Sequence, residues 1–308
     1  SLNLGIDPMF YLDTNGVTVK CKGCSVGDTG YIGSVLYTAH DNSSIANKSA
    51  SDTDWDRVVT TLVTDMSNLF ENQNSFNQNI SSWDTSSVTN MYRMFKDASA
   101  FNQNIGNWDV SNVTSFADMF LNASSFNENI SSWNLSSAQN TREMFNGASA
   151  FNQPIGSWNM SSVTNLEYMF KDAINFDQNI GPWDISNVTL IEGMFYNAQI
   201  FNQDIGSWDT SNVVDMGMMF QDAYVFNQDI GSWDVSSVTQ MGSLFRNAAA
   251  FNQDISSWCV PTISSEPGNF SSSSPLTNEN KPLWGICPSQ ATLTLTSSDS
   301  DNIITSDV

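Results

Sequence analysis

The sequence predicts an α/β solenoid of about eight 25-residue strand–helix coils with a β-rich cap in front and a disulfide-linked cap behind. Three observations predict it. Phe76, Phe101, Phe126, Phe151, Phe176, Phe201 and Phe226 open seven near-copies of one unit, and an eighth opens at Phe251 and decays. Within each unit a short apolar run precedes apolar residues at helical spacing. The four cysteines stand only outside the repeats, at Cys21, Cys24, Cys259 and Cys287. A fixed period of this length marks an array that grows by stacking, because one unit cannot bury both of its apolar faces alone.

Residues 1–54 lie outside the period and read as the N-terminal cap. Asn15-Gly16 between apolar runs is a hairpin signal. Val17 to Lys20 and Tyr31 to Tyr37 alternate like strands, with Gly27, Gly30 and Gly33 marking turns, and Asp41 to Asp54 reads as a loop.

The solenoid spans 55–258, and its register starts before the first full unit, at Val63, Met66, Leu69 and Phe70. In the first full unit Ile80, Trp83 and Thr85 form a run that suits a buried strand. Val88, Met91, Met94, Phe95 and Ala98 then follow on one face of a helix. Ser87, Asn112, Ser137, Ser162, Asn187, Asn212 and Ser237 precede that face and are N-cap residue types. Trp and Phe columns are expected to form internal ladders.

Residues 259–288 read as the C-terminal cap, with Cys259 expected to pair with Cys287 around a loop of about thirty residues. Cys21 and Cys24 are candidates for a second bond. CxxC is also half of a redox or zinc motif, but the second CxxC or His pair that zinc needs is missing, and His40 is the only histidine. Residues 289–308 alternate Thr and Leu and then turn polar, as a linker and the start of an Ig-like β domain.

Composition narrows the function. The net charge of -22, with Lys+Arg only 10, repels phosphate backbones and anionic lipid surfaces and argues against a nucleic-acid or membrane partner. No apolar run reaches the ~20 residues of a bilayer span, so direct membrane insertion is not expected. His40 has no evident catalytic partner, and no acid pair, Ser-His-Asp set or phosphate loop escapes the repeat, so the chain is not expected to be an enzyme.

Two acidic columns could carry chemistry. Asp84, Asp109, Asp184, Asp209 and Asp234 alternate with Asn134 and Asn159, which keep the acceptor and drop the charge; that pattern favours a turn-closing Asx bond. Asp204, Asp229 and Asp254 follow Asn79, Asn104, Asn129, Pro154 and Asn179 and are the weak Ca²⁺ candidates. No other cofactor is expected. The Asn77 to Asn252 ladder and the Thr89 to Thr239 column read as architecture.

The unit FNQDIGSWDVSSVTQMGSLF resembles the 25-residue repeat of the BspA-like leucine-rich-repeat bacterial surface proteins. NGVTVKCKGCSVGDTG is similar to their lead-in and TNENKPLWGICP to their C-terminal cap, whereas Cys24 departs from that lead-in. The resemblance implies a right-handed leucine-rich-repeat-like solenoid, an extracellular or cell-surface location, and adhesion to a surface protein or glycan. It supplies no catalytic residues. The competing expectation is a structural spacer or self-associating filament or surface-layer subunit, and the tail resembles modules of a larger adhesin. The residues that differ between copies lie on the helical positions, where Tyr168, Tyr196 and Tyr224 are the candidate binding anchors.

Overall fold

The computed structural model describes residues 9–288, so the expected Ig-like start at 289–308 lies outside the described residues. Strands β1 (Met9–Leu12) and β2 (Val19–Lys22) pair antiparallel. Their connection is set by Asn15, whose Oδ1 accepts from the amides of Val17 and Thr18, and by Gly16 in the left-handed region at φ 70°.

The strand-like stretch from Tyr31 to Tyr37, with a turn expected at Gly33, is part of a hairpin of β3 (Thr29–Ile32) and β4 (Val35–Asp41), folded at Gly33. β5 (Val58–Leu62) then joins β4 in parallel. The expected 41–54 loop contains a short helix, α1 (Asn42–Ala46). Asp41 accepts the Ser44 amide and Ser44 Oγ accepts the Asp41 amide, a reciprocal capping box that turns Ile45 into the core. Trp55 is fully buried at the junction, edge-on to Phe70 at 4.9 Å and 5.8 Å from Trp83.

From Val63 to Thr277 the described chain contains no α-helix and no strand longer than a single bridge, which differs from the expected strand–helix unit. The apolar spacing has another physical source, a run of four-residue turns. Amides of Met94, Lys96 and Ala98 bond back three residues, to the carbonyls of Met91, Arg93 and Phe95. The intervening amides of Arg93, Phe95 and Asp97 bond forward to Ala117, Met119 and Leu121 of the next copy. Arg93 and Asp97 adopt left-handed φ of 56° and 59°, which breaks any helical path. The same alternation recurs in every copy, and parallel bridges run Asp65, Asn90, Ser115, Asn140, Asn165, Leu190, Asp215 and Gln240.

The expected N-cap column is likewise different. Asn112, Asn187 and Asn212 donate from Nδ2 to the carbonyls of Ser86, Ser161 and Ser186 in the preceding copy, at 2.7 to 2.8 Å. With no helix to cap, these side chains tie copies together.

One continuous core runs along the stack. Phe95 and Phe120 stack at 5.6 Å, Phe101 and Phe126 at 5.9 Å, and Trp158 and Trp183 at 6.4 Å with planes 2° apart. Each ladder ring buries apolar surface against the copies on both sides, worth about 1.5 to 3 kcal/mol per ring before entropy.

Beyond Trp258 the chain covers the last copy. Amides of Ser243, Phe245 and Asn247 bond to Gly268, Phe270 and Ser272, and Trp284 meets Phe270 edge-on at 5.0 Å. Cys259 is joined to Cys287, and Cys21 to Cys24.

Candidate functional site: the varied turn face

Most recurring polar side chains are engaged within the stack. In the first acidic column, the Oδ1 atoms of Asp109, Asp184, Asp209 and Asp234 accept from the amide and hydroxyl of the serine two residues on, and Asn159 does the same with Ser161. The Ser186 and Ser211 hydroxyls, helped by their amides, hold the Asp184 and Asp209 carboxyls below the usual range.

The calcium candidates make the same kind of turn. Oδ1 of Asp204, Asp229 and Asp254 accepts the amide of Gly206, Gly231 and Ser256 at 3.0 Å. Asn79 and Asn104 close the identical turn in earlier copies. Among the described residues no group of three or more His, Cys, Asp or Glu is placed to hold a metal.

The Asn ladder is also internal. Asn77 Oδ1 accepts the Asn102 amide at 2.9 Å, Asn102 accepts that of Asn127, and Gln103 Nε2 reaches back to Asn77. In the threonine column the hydroxyls of Thr89, Thr114 and Thr189 donate to carbonyls one copy back.

Variation is concentrated on the outward positions of the turn run. Its N-terminal part is a charge network centred on Asp118, whose side chain is 2% exposed. Arg93 Nε lies 3.0 Å and Arg142 Nη1 3.3 Å from its two oxygens, and Arg93 and Lys96 also approach Glu71.

Further along, the three candidate tyrosines do not form one site. Tyr168 is half-buried, donates its hydroxyl to Glu192, and lies on Gly193, where an added Cβ would fall 2.2 Å from the ring. Burial and then the bond to Glu192 push its hydroxyl pKa up. Lys171 Nζ sits 5.7 Å from the Tyr168 ring centroid and 5.4 Å from that of Tyr196, so one ammonium bridges two aromatic faces. Tyr224 stands apart, 44% exposed, beside Val225, which follows exposed Ile200 in the next column position. Reasoning on the sequence missed Glu192, Ile200 and Val225. A signal existed in the 25-residue offset, which sets Val225 after Ile200 and Gly193 after Tyr168.

His40 Nδ1 is buried without a hydrogen-bond partner among the described residues, and burial, then the Lys48 charge, lowers the imidazole pKa. No described helix is long and apolar enough to cross a membrane.

A family model described as "Mycoplasma protein of unknown function, DUF285" matches residues 38–153, 130–208 and 178–284. Together these overlapping matches span residues 38–284, the repeated region with the end of the N-terminal cap and most of the C-terminal one. No curated protein and no solved structure matches the chain.

Proposed function

The chain belongs to the repeat family described as Mycoplasma protein of unknown function, DUF285, and on that premise we propose that it is a non-enzymatic extracellular or cell-surface protein that binds a protein or glycan partner. In this reading the stack is a right-handed, leucine-rich-repeat-like solenoid of the BspA-like kind. The observation that carries the reading is the division of labour among its side chains. The recurring columns are engaged in bonds within and between copies, while the outward turn positions change from copy to copy and present Lys171, Tyr196 and Tyr224.

A partially exposed ammonium between aromatic rings, with an exposed tyrosine further along, is the residue chemistry of binding hot spots. Tyr168 supports that surface from beneath by bonding Glu192. Asp204, Asp229 and Asp254 each give one oxygen, Oδ1, to a turn amide, so this column has an architectural role that needs no metal. A net charge of -22 opposes close self-packing, which weighs against the filament or surface-layer alternative.

The test compares the wild-type chain with a Lys171→Ala, Tyr196→Ala, Tyr224→Ala variant for adhesion to cell surfaces and immobilised glycans. Loss of binding by about tenfold or more at unchanged melting temperature is expected. Equal binding by both chains refutes the assignment of this face. Ordered filaments from a wild type that binds no surface establish the spacer instead.

A further inference from the structure

A concavity among the described residues is on a different arc of the copies. A cleft of about 680 Å³ lies between the β1–β2 connection and the first two full copies, lined by Val17 and by Asn79, Ser81, Gln103, Asn104 and Asn107. It exists because the N-terminal hairpin folds back onto the stack: the Val19 amide donates to the Ser82 carbonyl at 2.8 Å, and Lys20 lies 3.8 Å from Asp84. Later copies carry the same columns without an overhanging hairpin. The volume falls in the range of about 300 to 1,000 Å³ typical of small-ligand sites.

The lining has a particular chemistry. Each amide is fixed at one end by internal bonds, one for Asn79 and Asn104 and two for Gln103 and Asn107, and its other end has no protein partner among the described residues. Asn79 and Asn104 use Oδ1 to hold the amides of Ser81 and Gly106 at 3.0 Å, so each presents an Nδ2 donor. Gln103 gives Nε2 to Asn77, and Asn107 gives Nδ2 to the Ser81 carbonyl at 2.8 Å, so each presents an oxygen acceptor. The result is a set of pre-oriented donors and acceptors with a serine hydroxyl among them. Val17, 39% exposed, supplies an apolar lip.

No ionised side chain lines this cleft, although the chain carries 42 charged residues, Lys+Arg 10 plus Asp+Glu 32. A charged ligand would find no counter-charge there, and an anion would also meet the field of an acidic protein. Hydroxyl groups both donate and accept, so neighbouring hydroxyls match fixed amide forks, and the C–H face of a sugar ring matches a small apolar lip. We propose that this cleft binds a neutral polyhydroxylated ligand, a segment of an uncharged oligosaccharide. It does so independently of the Lys171 and Tyr196 face.

The structure itself supplies a variant that keeps the fold. Asp204 and Asp229 occupy the Asn79 and Asn104 column in later copies and close the same turn at 3.0 Å. Asn79→Asp, Asn104→Asp therefore preserves both turns while replacing two donors by two negative acceptors. Wild type, this double variant and Lys171→Ala, Tyr196→Ala are titrated calorimetrically with cellohexaose, maltohexaose, mannohexaose and xylohexaose. The side-chain amide signals of Asn79 and Asn104 are followed by NMR.

At least one hexasaccharide is expected to bind the wild type and to shift those signals. Its affinity should fall by about tenfold or more in the double variant and stay unchanged in the Lys171 and Tyr196 variant. The proposal is overturned if the wild type binds none of the four, if bound saccharide leaves both amide signals in place, or if the double variant binds as tightly. Loss of surface adhesion in the Lys171 and Tyr196 variant leaves this result untouched, so the two readings fail separately.

Discussion

The indole Nε1 of Trp133 donates to the carbonyl oxygen of Ile105 at 3.1 Å, one copy earlier in the stack. That oxygen also accepts the backbone amide of Trp108 at 3.1 Å, so both of its lone pairs are used. Trp108, Trp158, Trp183 and Trp208 repeat the bond to Ile80, Ile130, Ile155 and Ile180. The tryptophan column thus joins ring stacking to main-chain recognition and fixes the register between copies.

Two substitutions separate these contributions. Trp133→Phe keeps a ring in the column but removes the Nε1 bond; since Ile105 retains the Trp108 amide, the expected loss is about 1 kcal/mol for the bond, with a further part for the smaller ring. Trp133→Ala also opens a cavity in a core where the side chain is 3% exposed, and should lose about 3 to 5 kcal/mol. Urea unfolding followed by far-ultraviolet circular dichroism reads both. Equal losses would show that ring burial contributes nothing beyond the bond.

The stacking and the aromatic columns were legible in the sequence because a residue repeated at fixed phase meets itself in the next copy. The turn backbone was not, because Met91, Met94, Phe95 and Ala98 have the spacing of one helical face and also that of two successive turns. A distinguishing signal was present. Asn72, Asp97, Asn122, Gly147, Asp172, Asn197, Asp222 and Asn247 form a column of the residue types that tolerate left-handed φ, and all eight adopt it at 55° to 70°. An amphipathic helix has no reason to place only Asn, Asp and Gly at one phase.

The candidate site was half legible for a related reason. Variation marked the outward positions, but the pairing of Tyr168 with Glu192 and Gly193 depends on the exact register between neighbouring copies. The cleft under the hairpin could not be read at all, since it is made by Val17 folding over Asn79 and Asn104, more than sixty residues later in the chain.

The left-handed column yields a second prediction. Asn197 has φ 56° and donates from Nδ2 to Asp172 Oδ1 at 2.7 Å. Asn197→Gly accepts the backbone conformation and loses two part-buried bonds, that one and the bond from Gln199 Nε2 to Asn197 Oδ1 at 3.1 Å, so it should lose about 1 to 2 kcal/mol. Asn197→Val loses the same two bonds and also forces a β-branched residue into the left-handed region, and should lose about 1 to 3 kcal/mol more. Melting temperatures of the two variants give the comparison; a helix at this position would reverse their order, because glycine is the poorer helix former.

The acidic turns yield a third, in the dependence of stability on pH. Bonds from Ser186 and Ser211 lower the carboxyl pKa of Asp184 and Asp209, and bonds from Ser256 lower that of Asp254. A folded pKa below the unfolded value of about 3.9 means that the unfolded chain takes up protons first as pH falls. The stabilisation is therefore fully present above pH ~4 and is lost as pH drops through the lower folded values. Asn134 and Asn159 close the same turn as Asp184 and Asp209, and Asn79 closes that of Asp254, without a titrating group. The triple variant Asp184→Asn, Asp209→Asn, Asp254→Asn should accordingly lack this contribution near pH 7 and lose less stability than the wild type between pH ~4 and ~2, so that the gap between them narrows as pH falls. Melting temperature measured across that range decides the matter: parallel acid limbs would mean that the serine bonds favour the carboxylate no more in the folded chain than water does in the unfolded one.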